Sequence, residues 1–146
     1  MDDKVNRGTL VMGVIGEDVH IVGIRILEYA LKDAGFKVVS LGAQVSQQEF
    51  ISAAVETSAD GILVSSYSGH AEHLSQGFRD KCMEAGLGRI ILLIGGFLAL
   101  EEKPWEEVEK KYMAMGFDGV YPPGIMPSKV IEDLGTVYFA SREARG

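Results

Sequence analysis

The sequence predicts an α/β fold in which a parallel sheet of five strands carries helices on both faces. Three observations predict it. Short apolar runs recur five times along the chain, stretches with helical character alternate with them, and 47% of the 146 residues are hydrophobic. Buried parallel strands are continuously apolar, and helices must connect them. Five strands favour the flavodoxin-like, Rossmann-like strand order 2-1-3-4-5.

The predicted strands and helices alternate along the chain. Strands are predicted over residues 9–15, 37–42, 61–66, 89–94 and 119–121. Helices are predicted over residues 23–34, 46–58, 71–85 and 104–115, with a last helix that begins at 127 or 128. The rhythm of short strands separated by helical segments is typical of a parallel sheet.

Local chemistry supports several of these boundaries. The first helix has apolar residues at helical spacing and ends at Gly35, since glycine readily adopts the left-handed conformation of a C-cap. Ser46, with Glu49 three residues later, predicts a capping box at the start of the second helix. Pro104 suits the first turn of the fourth helix, where a proline costs no helical hydrogen bond.

Composition and charge exclude several classes of protein. The formal charge of −7 argues against a nucleic-acid backbone as partner. No apolar run reaches the roughly 18 residues of a membrane span, and residues 1–8 are too polar for a signal peptide. The lone cysteine, Cys82, cannot form an intrachain disulfide and is expected to pack from its helix against the sheet. We expect a cytoplasmic protein whose residues 1–146 form one domain, with a core over about 9–134, a short polar N-terminus and a C-terminal helical extension.

Ligands of an open parallel sheet bind beyond the carboxyl ends of its strands. The unusual loops of this chain lie at those ends, over residues 16–23, 65–70, 95–100 and 121–125. A dinucleotide site is not expected, because the glycine spacing that it needs after strand one is missing. A phosphorelay receiver is not expected either, since serines and prolines stand where its phospho-accepting aspartate and its lysine belong.

An Asp-x-His-x-x-Gly element over residues 18–23 carries the most specific chemistry. His20 lies at the predicted start of helix one, where the helix dipole disfavours the imidazolium and leaves a neutral nitrogen for a metal. Asp18 can accept the other ring N–H and so orient the imidazole. One histidine cannot build a closed zinc site, but it suits the axial position of a metal held by a macrocycle. Gly23 leaves space between helix one and the sheet. The alternatives are that His20 is a loop histidine that caps the helix and that Asp18 is an ordinary N-cap.

These residues resemble the motifs of cobalamin-binding domains. Residues 65–67 stand at the Ser-x-Leu motif after strand three, and residues 95–96 form the glycine pair after strand four. Over residues 9–134 the chain is similar to the small (sigma) subunits of adenosylcobalamin-dependent glutamate mutases. Tyr67 replaces the leucine of the family motif, Phe97 stands where a polar residue is usual, and Ile125 replaces a usual threonine.

The resemblance implies that the chain binds adenosylcobalamin in the base-off/His-on mode. His20 would be the axial cobalt ligand, with Asp18 behind it, and the displaced nucleotide tail would enter the gap beside Gly23. Ser65 would hydrogen-bond the benzimidazole, and His70 could touch the corrin. The resemblance also implies cofactor contacts for the neighbouring loop residues Glu17, Val19, Ile21, Ser66, Tyr67, Gly95, Gly96, Phe97, Tyr121, Pro123 and Gly124.

The implied activity is that of an isomerase, the radical interconversion of L-glutamate and L-threo-3-methylaspartate. In the family the substrate-binding residues belong to a large TIM-barrel subunit. No catalytic residue is therefore expected in this chain, which would be inactive alone and would act in a heterotetramer. Two other interpretations stay open: a corrinoid carrier or sensor of another B12-dependent system, and a cofactor-free interaction module on the same scaffold.

Overall fold

The computed structural model describes residues 7–16, 22–66, 70–99 and 102–139, with only the backbone at positions 22 and 23. Within these residues the sheet has five parallel strands in the order β2-β1-β3-β4-β5, which confirms the predicted order. The strands are β1 (Thr9–Val14), β2 (Lys37–Ser40), β3 (Gly61–Ser66), β4 (Ile91–Gly96) and β5 (Gly119–Tyr121).

Helices cover both faces of this sheet. They are α1 (Val22–Asp33), α2 (Gln47–Thr57), α3 (Ala71–Ser75), α4 (Phe78–Glu84), α5 (Trp105–Ala114) and α6 (Pro127–Asp133), and a π-helical turn (Leu134–Tyr138) continues directly from α6. No helix in the described part of the chain is long and apolar enough to cross a bilayer.

The central strands are apolar because helices bury both of their faces. Successive side chains of a strand point to opposite faces, so the apolar residues of each strand divide between two clusters. One cluster lies toward α1 and α6 and includes Leu10, Leu63 and Leu93. The other lies toward α2, α4 and α5 and contains Phe50 and Phe78, whose ring centroids are 5.8 Å apart. Burial of each apolar side chain of this size stabilises the folded state by roughly 1.5–3 kcal/mol.

Two predicted helix boundaries and the predicted position of the cysteine are confirmed. Ser46 and Glu49 form the complete capping box, with the Glu49 N–H donating to Ser46 Oγ at 3.1 Å and the Ser46 N–H donating to Glu49 Oε1 at 3.1 Å. Gly35 lies just after α1 with a φ of +102°. Cys82 is fully buried in α4, and burial raises the pKa of its thiol to about 11. The thiol is therefore neutral and unreactive near pH 7.

The prediction of a single helix over residues 71–85 is wrong, because this segment forms two helices, α3 and α4. Gln76 is extended, and Gly77 has a φ of +74°, a conformation that glycine tolerates and that ends a helix. The side-chain amide of Gln47 donates to the carbonyls of Leu74 and Gln76 at 2.5 and 3.0 Å. A side chain from α2 thus satisfies the carbonyls that the break leaves without helical partners.

Strand four is displaced along the chain from its prediction. It was expected over residues 89–94 with the glycine pair ending it, but β4 includes both Gly95 and Gly96. These glycines pair with Ser65 and Ser66 of β3. Pro104 also lies one position earlier than expected, since it immediately precedes α5.

Arg79 ties α4 to the region between β4 and β5. Its guanidinium donates to the carbonyls of Gly116 and Ile90, both at 2.9 Å, and to Asp118 Oδ2 at 2.7 Å. The same carboxylate oxygen accepts the Leu92 N–H at 2.9 Å. Arg79 and Asp118 are mostly buried, so the loss of either leaves polar groups without partners.

We expect Arg79→Met to lower the free energy of unfolding by about 2–4 kcal/mol, because the mostly buried Asp118 carboxylate loses its cationic partner and two carbonyls lose the guanidinium donor. Guanidinium unfolding at pH 7 measures the loss. Lys81→Met is the matched control, since Lys81 is exposed in the same helix, and it should change stability by less than about 0.5 kcal/mol. Equal effects of the two substitutions would contradict the role given to Arg79.

Candidate functional site

A cavity of about 270 Å³ lies between the sheet and the helices α1 and α6, near the carboxyl ends of β3, β4 and β5. This is the edge at which the topology predicts a ligand. The walls are mostly apolar and come from four places in the sequence. The lining residues are Ile24, Ile26, Leu27, Leu63, Val64, Ser65, Leu93, Ile94, Gly95, Gly96, Tyr121, Pro122, Pro123, Gly124, Ile125, Pro127 and Val130.

Small residues on one face of the sheet create this cavity. Ser65 and Gly95 are paired neighbours on β3 and β4. They lie on the same face as Leu63 and Leu93, whose side chains pack in the cluster beneath α1 and α6. Two residues after the leucine, β3 has the small side chain of Ser65 and β4 has Gly95, which has none. The side chains of the sheet therefore do not reach the helices at this position, and a gap remains. Ser65 is partly exposed in this gap and offers its hydroxyl there.

Gly95 and Gly96 have different roles in the backbone. A Cβ on Gly95 would make ordinary contact with Tyr121 Cβ at 3.4 Å. A Cβ on Gly96 would overlap the Ser66 carbonyl, and its φ of +111° disfavours any side chain. The Ser66 carbonyl accepts the Phe97 N–H at 2.8 Å. Gly96 therefore allows the backbone to pass close to Ser66 of β3 as the chain leaves the sheet. Gly95 has a different role, since its missing side chain leaves the cavity open.

Tyr121 lines the cavity, and its hydroxyl is hydrogen-bonded to two side chains that do not line it. It donates to Asp133 Oδ2 at 2.8 Å and lies 2.8 Å from the Tyr138 hydroxyl. Asp133 Oδ1 accepts from Lys129 Nζ at 2.9 Å. Burial, together with these neighbours, raises the pKa of Tyr121 far above its ordinary value, so the phenol is neutral at physiological pH. Neither Asp133 nor Tyr138 was predicted from the sequence.

The structure brings together many, but not all, of the residues predicted to contact a ligand. Six of them line the cavity: Ser65, Gly95, Gly96, Tyr121, Pro123 and Gly124. Ser66 is fully buried and does not line it, and the side chain of Phe97 is 55% exposed outside it. Residues 17–21, which include Asp18 and His20, and Tyr67 lie outside the described residues.

The start of α1 lies beside the cavity. The chain leaves β1 through Gly16 and is described again from Val22, the first residue of α1. Gly23 thus belongs to the first turn of α1, as predicted. Ile24, the next residue, lines the cavity. Gly23, the last residue of the Asp-x-His-x-x-Gly element, therefore directly precedes a residue that lines the cavity.

His70 lies at a second, larger cavity of about 710 Å³, on the opposite side of the sheet beside α3 and α5. His73 and three lysines also line it, and Lys111 pairs with Glu72 at 2.7 Å. Within the described parts of the chain no group of three or more histidine, cysteine and acidic side chains is arranged to hold a metal ion.

Comparison with known proteins identifies the family to which this chain is related. The family model for the B12 binding domain matches residues 8–124. The glutamate mutase sigma subunit of Carboxydothermus hydrogenoformans is 54% identical over 130 residues, which cover 86% of this chain and 95% of that protein. The sigma subunit of Clostridium tetanomorphum is 47% identical over 133 residues, covering 91% and 97%.

Solved structures confirm the fold. A cobalamin-binding protein from Desulfitobacterium hafniense superposes with a TM-score of 0.71 at 19% identity, covering 89% of this chain. The chain spans 58% of the length of that protein. At this identity the likeness concerns the fold alone. The family match and the two sigma subunits go further, and on their basis the chain belongs to the B12-binding domain family.

Proposed function

We propose that this chain is the cobalamin-binding subunit of a carbon-skeleton mutase, namely glutamate mutase. The observation that carries the proposal is the cavity of about 270 Å³ beside the start of α1, which Ser65 and Gly95 line on the side of the sheet. Its lining includes Ser65, Gly95 and Tyr121, for which the family resemblance implies contacts with the cofactor. Relatives that are named glutamate mutase sigma subunits and match 86% and 91% of this chain support the choice of reaction.

The cavity fits the tail of a cobalamin in size and character. Its volume of about 270 Å³ is just below the roughly 300–1,000 Å³ of pockets for drug-sized ligands, which suits a flat bicyclic base. The walls are largely apolar, and Ser65 supplies a hydroxyl that can hydrogen-bond a ring nitrogen. A side chain larger than a hydrogen on Gly95 would project into the same space. The residues present therefore fit the group.

Adenosylcobalamin would supply a weak cobalt–carbon bond for radical chemistry. The proposed task of this chain is to hold and orient the cofactor. His20 would be the protein ligand of the cobalt, and Asp18 would accept the other ring N–H of the imidazole, which would fix its tautomer and raise its basicity. Ser65 and Tyr121 would hold the tail in the cavity. In this proposal residues 9–134 form the single cofactor-binding domain.

The proposed partner is a large TIM-barrel subunit that binds the substrate, in a heterotetramer. Its contact surface would lie at the carboxyl edge of the sheet, over the corrin. Phe97 supports this placement, since it follows β4 at that edge and its apolar side chain is 55% exposed. Because the substrate-binding groups would lie on the partner, the isolated chain is proposed to be inactive.

We expect His20→Ala to abolish the spectral change that accompanies histidine ligation of the cobalt and to weaken binding of adenosylcobalamin at least tenfold, because the proposed protein ligand of the cobalt is lost. Titration followed by absorption spectroscopy measures both. His73→Ala is the control, since His73 is an exposed histidine of α3, and it should behave like the wild type. Identical spectra from the wild type and His20→Ala would refute histidine ligation.

We expect Gly95→Leu to remain folded but to bind adenosylcobalamin at least tenfold more weakly, because the new side chain occupies the tail cavity. Gly88→Leu is the control, because a Cβ there meets no atom within 4 Å. Calorimetric titration and thermal unfolding of both variants give the comparison. If Gly95→Leu fails to fold, Gly95→Ala replaces it. Undiminished cofactor binding by a folded Gly95 variant would show that the tail lies elsewhere.

Co-expression with a glutamate mutase large subunit tests the reaction itself. The mixture with adenosylcobalamin should convert glutamate into 3-methylaspartate, whereas either subunit alone should not, because each supplies only part of the site. Chromatographic assay of the product decides. Cobalamin binding without mutase activity would favour a corrinoid carrier or sensor, and no cobalamin binding would favour a cofactor-free module.

A further inference from the structure

The wall of the tail cavity depends on two residues that do not line it. Tyr121 presents its ring to the cavity, while Asp133 and Tyr138 contact its hydroxyl from behind. The carboxylate is at the end of α6, and Tyr138 is the last residue of the π-helical turn. The last described elements of the chain therefore hold a residue of β5 in place.

The donor and acceptor of each hydrogen bond among Tyr121, Asp133 and Tyr138 can be assigned. Tyr121 has one hydroxyl proton, and it donates that proton to Asp133 Oδ2 at 2.8 Å. Across the 2.8 Å between the two phenol oxygens, Tyr138 must therefore be the donor. Lys129 Nζ donates to the other oxygen of Asp133 at 2.9 Å. The Asp133 carboxyl group therefore accepts a hydrogen bond at each of its oxygens, one from a phenol and one from an ammonium group, and hydrogen bonds that involve a charged group are stronger than neutral ones.

The backbone is shaped to bring Tyr138 to this position. A Cβ on Gly119 would overlap the Tyr138 hydroxyl, so the phenol occupies space that only a glycine of β5 leaves open. The turn Leu134–Tyr138 is π-helical, and the Phe139 N–H donates to the Leu134 carbonyl five residues back. Such turns are rare and occur frequently at functional sites.

We propose that Asp133 and Tyr138 are positioning residues for the nucleotide tail of the cofactor. They fix the ring of Tyr121 as a rigid wall, so that the cavity keeps the width of a flat base before the cofactor arrives. A preformed cavity binds more tightly, because no side chain has to be ordered on binding. This inference rests on the proposed function, and it adds two residues that do not line the cavity.

The test compares two corrinoids that differ only in the tail. Adenosylcobalamin carries the nucleotide, and adenosylcobinamide lacks it. Tyr138→Phe keeps the ring of Tyr138 but removes the donor to Tyr121, and it should weaken adenosylcobalamin binding roughly tenfold, the effect of one well-placed hydrogen bond. The affinity for adenosylcobinamide should stay within about twofold of the wild-type value. Asp133→Asn, which weakens the acceptor of the Tyr121 proton, should give the same selective loss.

Tyr112→Phe is the matched control. Tyr112 is a buried tyrosine whose hydroxyl donates to the Leu98 carbonyl at 2.7 Å, and it packs in the cluster on the other face of the sheet. Loss of the Tyr112 hydroxyl should lower the stability of the protein without changing the ratio of the affinities for adenosylcobalamin and adenosylcobinamide. Thermal unfolding shows which variants are folded, and Asp133→Asn provides the comparison if Tyr138→Phe is not.

Two results would overturn the inference while leaving the proposed function intact. One is an unchanged affinity of the folded variants for adenosylcobalamin. The other is an equal loss for both corrinoids, which would indicate general destabilisation instead of positioning of the tail. If the wild-type chain binds neither corrinoid, the proposed function itself fails, and the inference fails with it.

Discussion

The structure depends on one packing constraint, that the helix layer formed by α1 and α6 does not close on the sheet at the carboxyl ends of β3 and β4. Leu63 and Leu93 fill the space between the layers, and two residues later Ser65 and Gly95 do not. Protein interiors are otherwise packed to the density of organic crystals. A gap of about 270 Å³ at this position forgoes apolar burial, so it is better explained by a ligand than by the stability of the chain.

The surroundings of the gap are correspondingly rigid. Gly96 allows the chain to turn tightly against Ser66, and Pro122 and Pro123 stiffen the segment that follows β5. Tyr121 cannot rotate away without breaking its bonds to Asp133 and Tyr138. The wall is thus held by side-chain hydrogen bonds as well as by strands, which is the arrangement expected for a preformed binding site.

Much of this architecture could be predicted from the sequence, because its signals are local. Apolar runs and the capping box of Ser46 and Glu49 gave the elements, and the rule that ligands bind at the carboxyl edge of a parallel sheet gave the position of Ser65 and Gly95. The break at Gly77 was missed because the residues on both sides continue a helical pattern, and the compensating Gln47 comes from another helix.

Asp133 and Tyr138 were missed for a related reason. The spacing of Lys129 and Asp133 suggests only an exposed ion pair on a helix, and nothing in the sequence shows that the π-helical turn directs Tyr138 toward Gly119. Long-range hydrogen bonds between side chains have no periodic signal. Resemblance to a family supplied the proposed chemistry of His20 and Asp18, while the structure supplied the cavity and the residues behind its wall.

The central proposal is that a nitrogen of this chain would replace the cofactor's own base on cobalt, while that base would occupy the cavity. Electron paramagnetic resonance of the cobalt(II) form of cobalamin, bound to protein labelled uniformly with nitrogen-15, tests it most directly. Histidine ligation predicts that each cobalt line is split into a doublet by the labelled protein nitrogen. A triplet, produced by the unlabelled nitrogen of the benzimidazole, would show that the cofactor's base is still on the metal and would contradict the account.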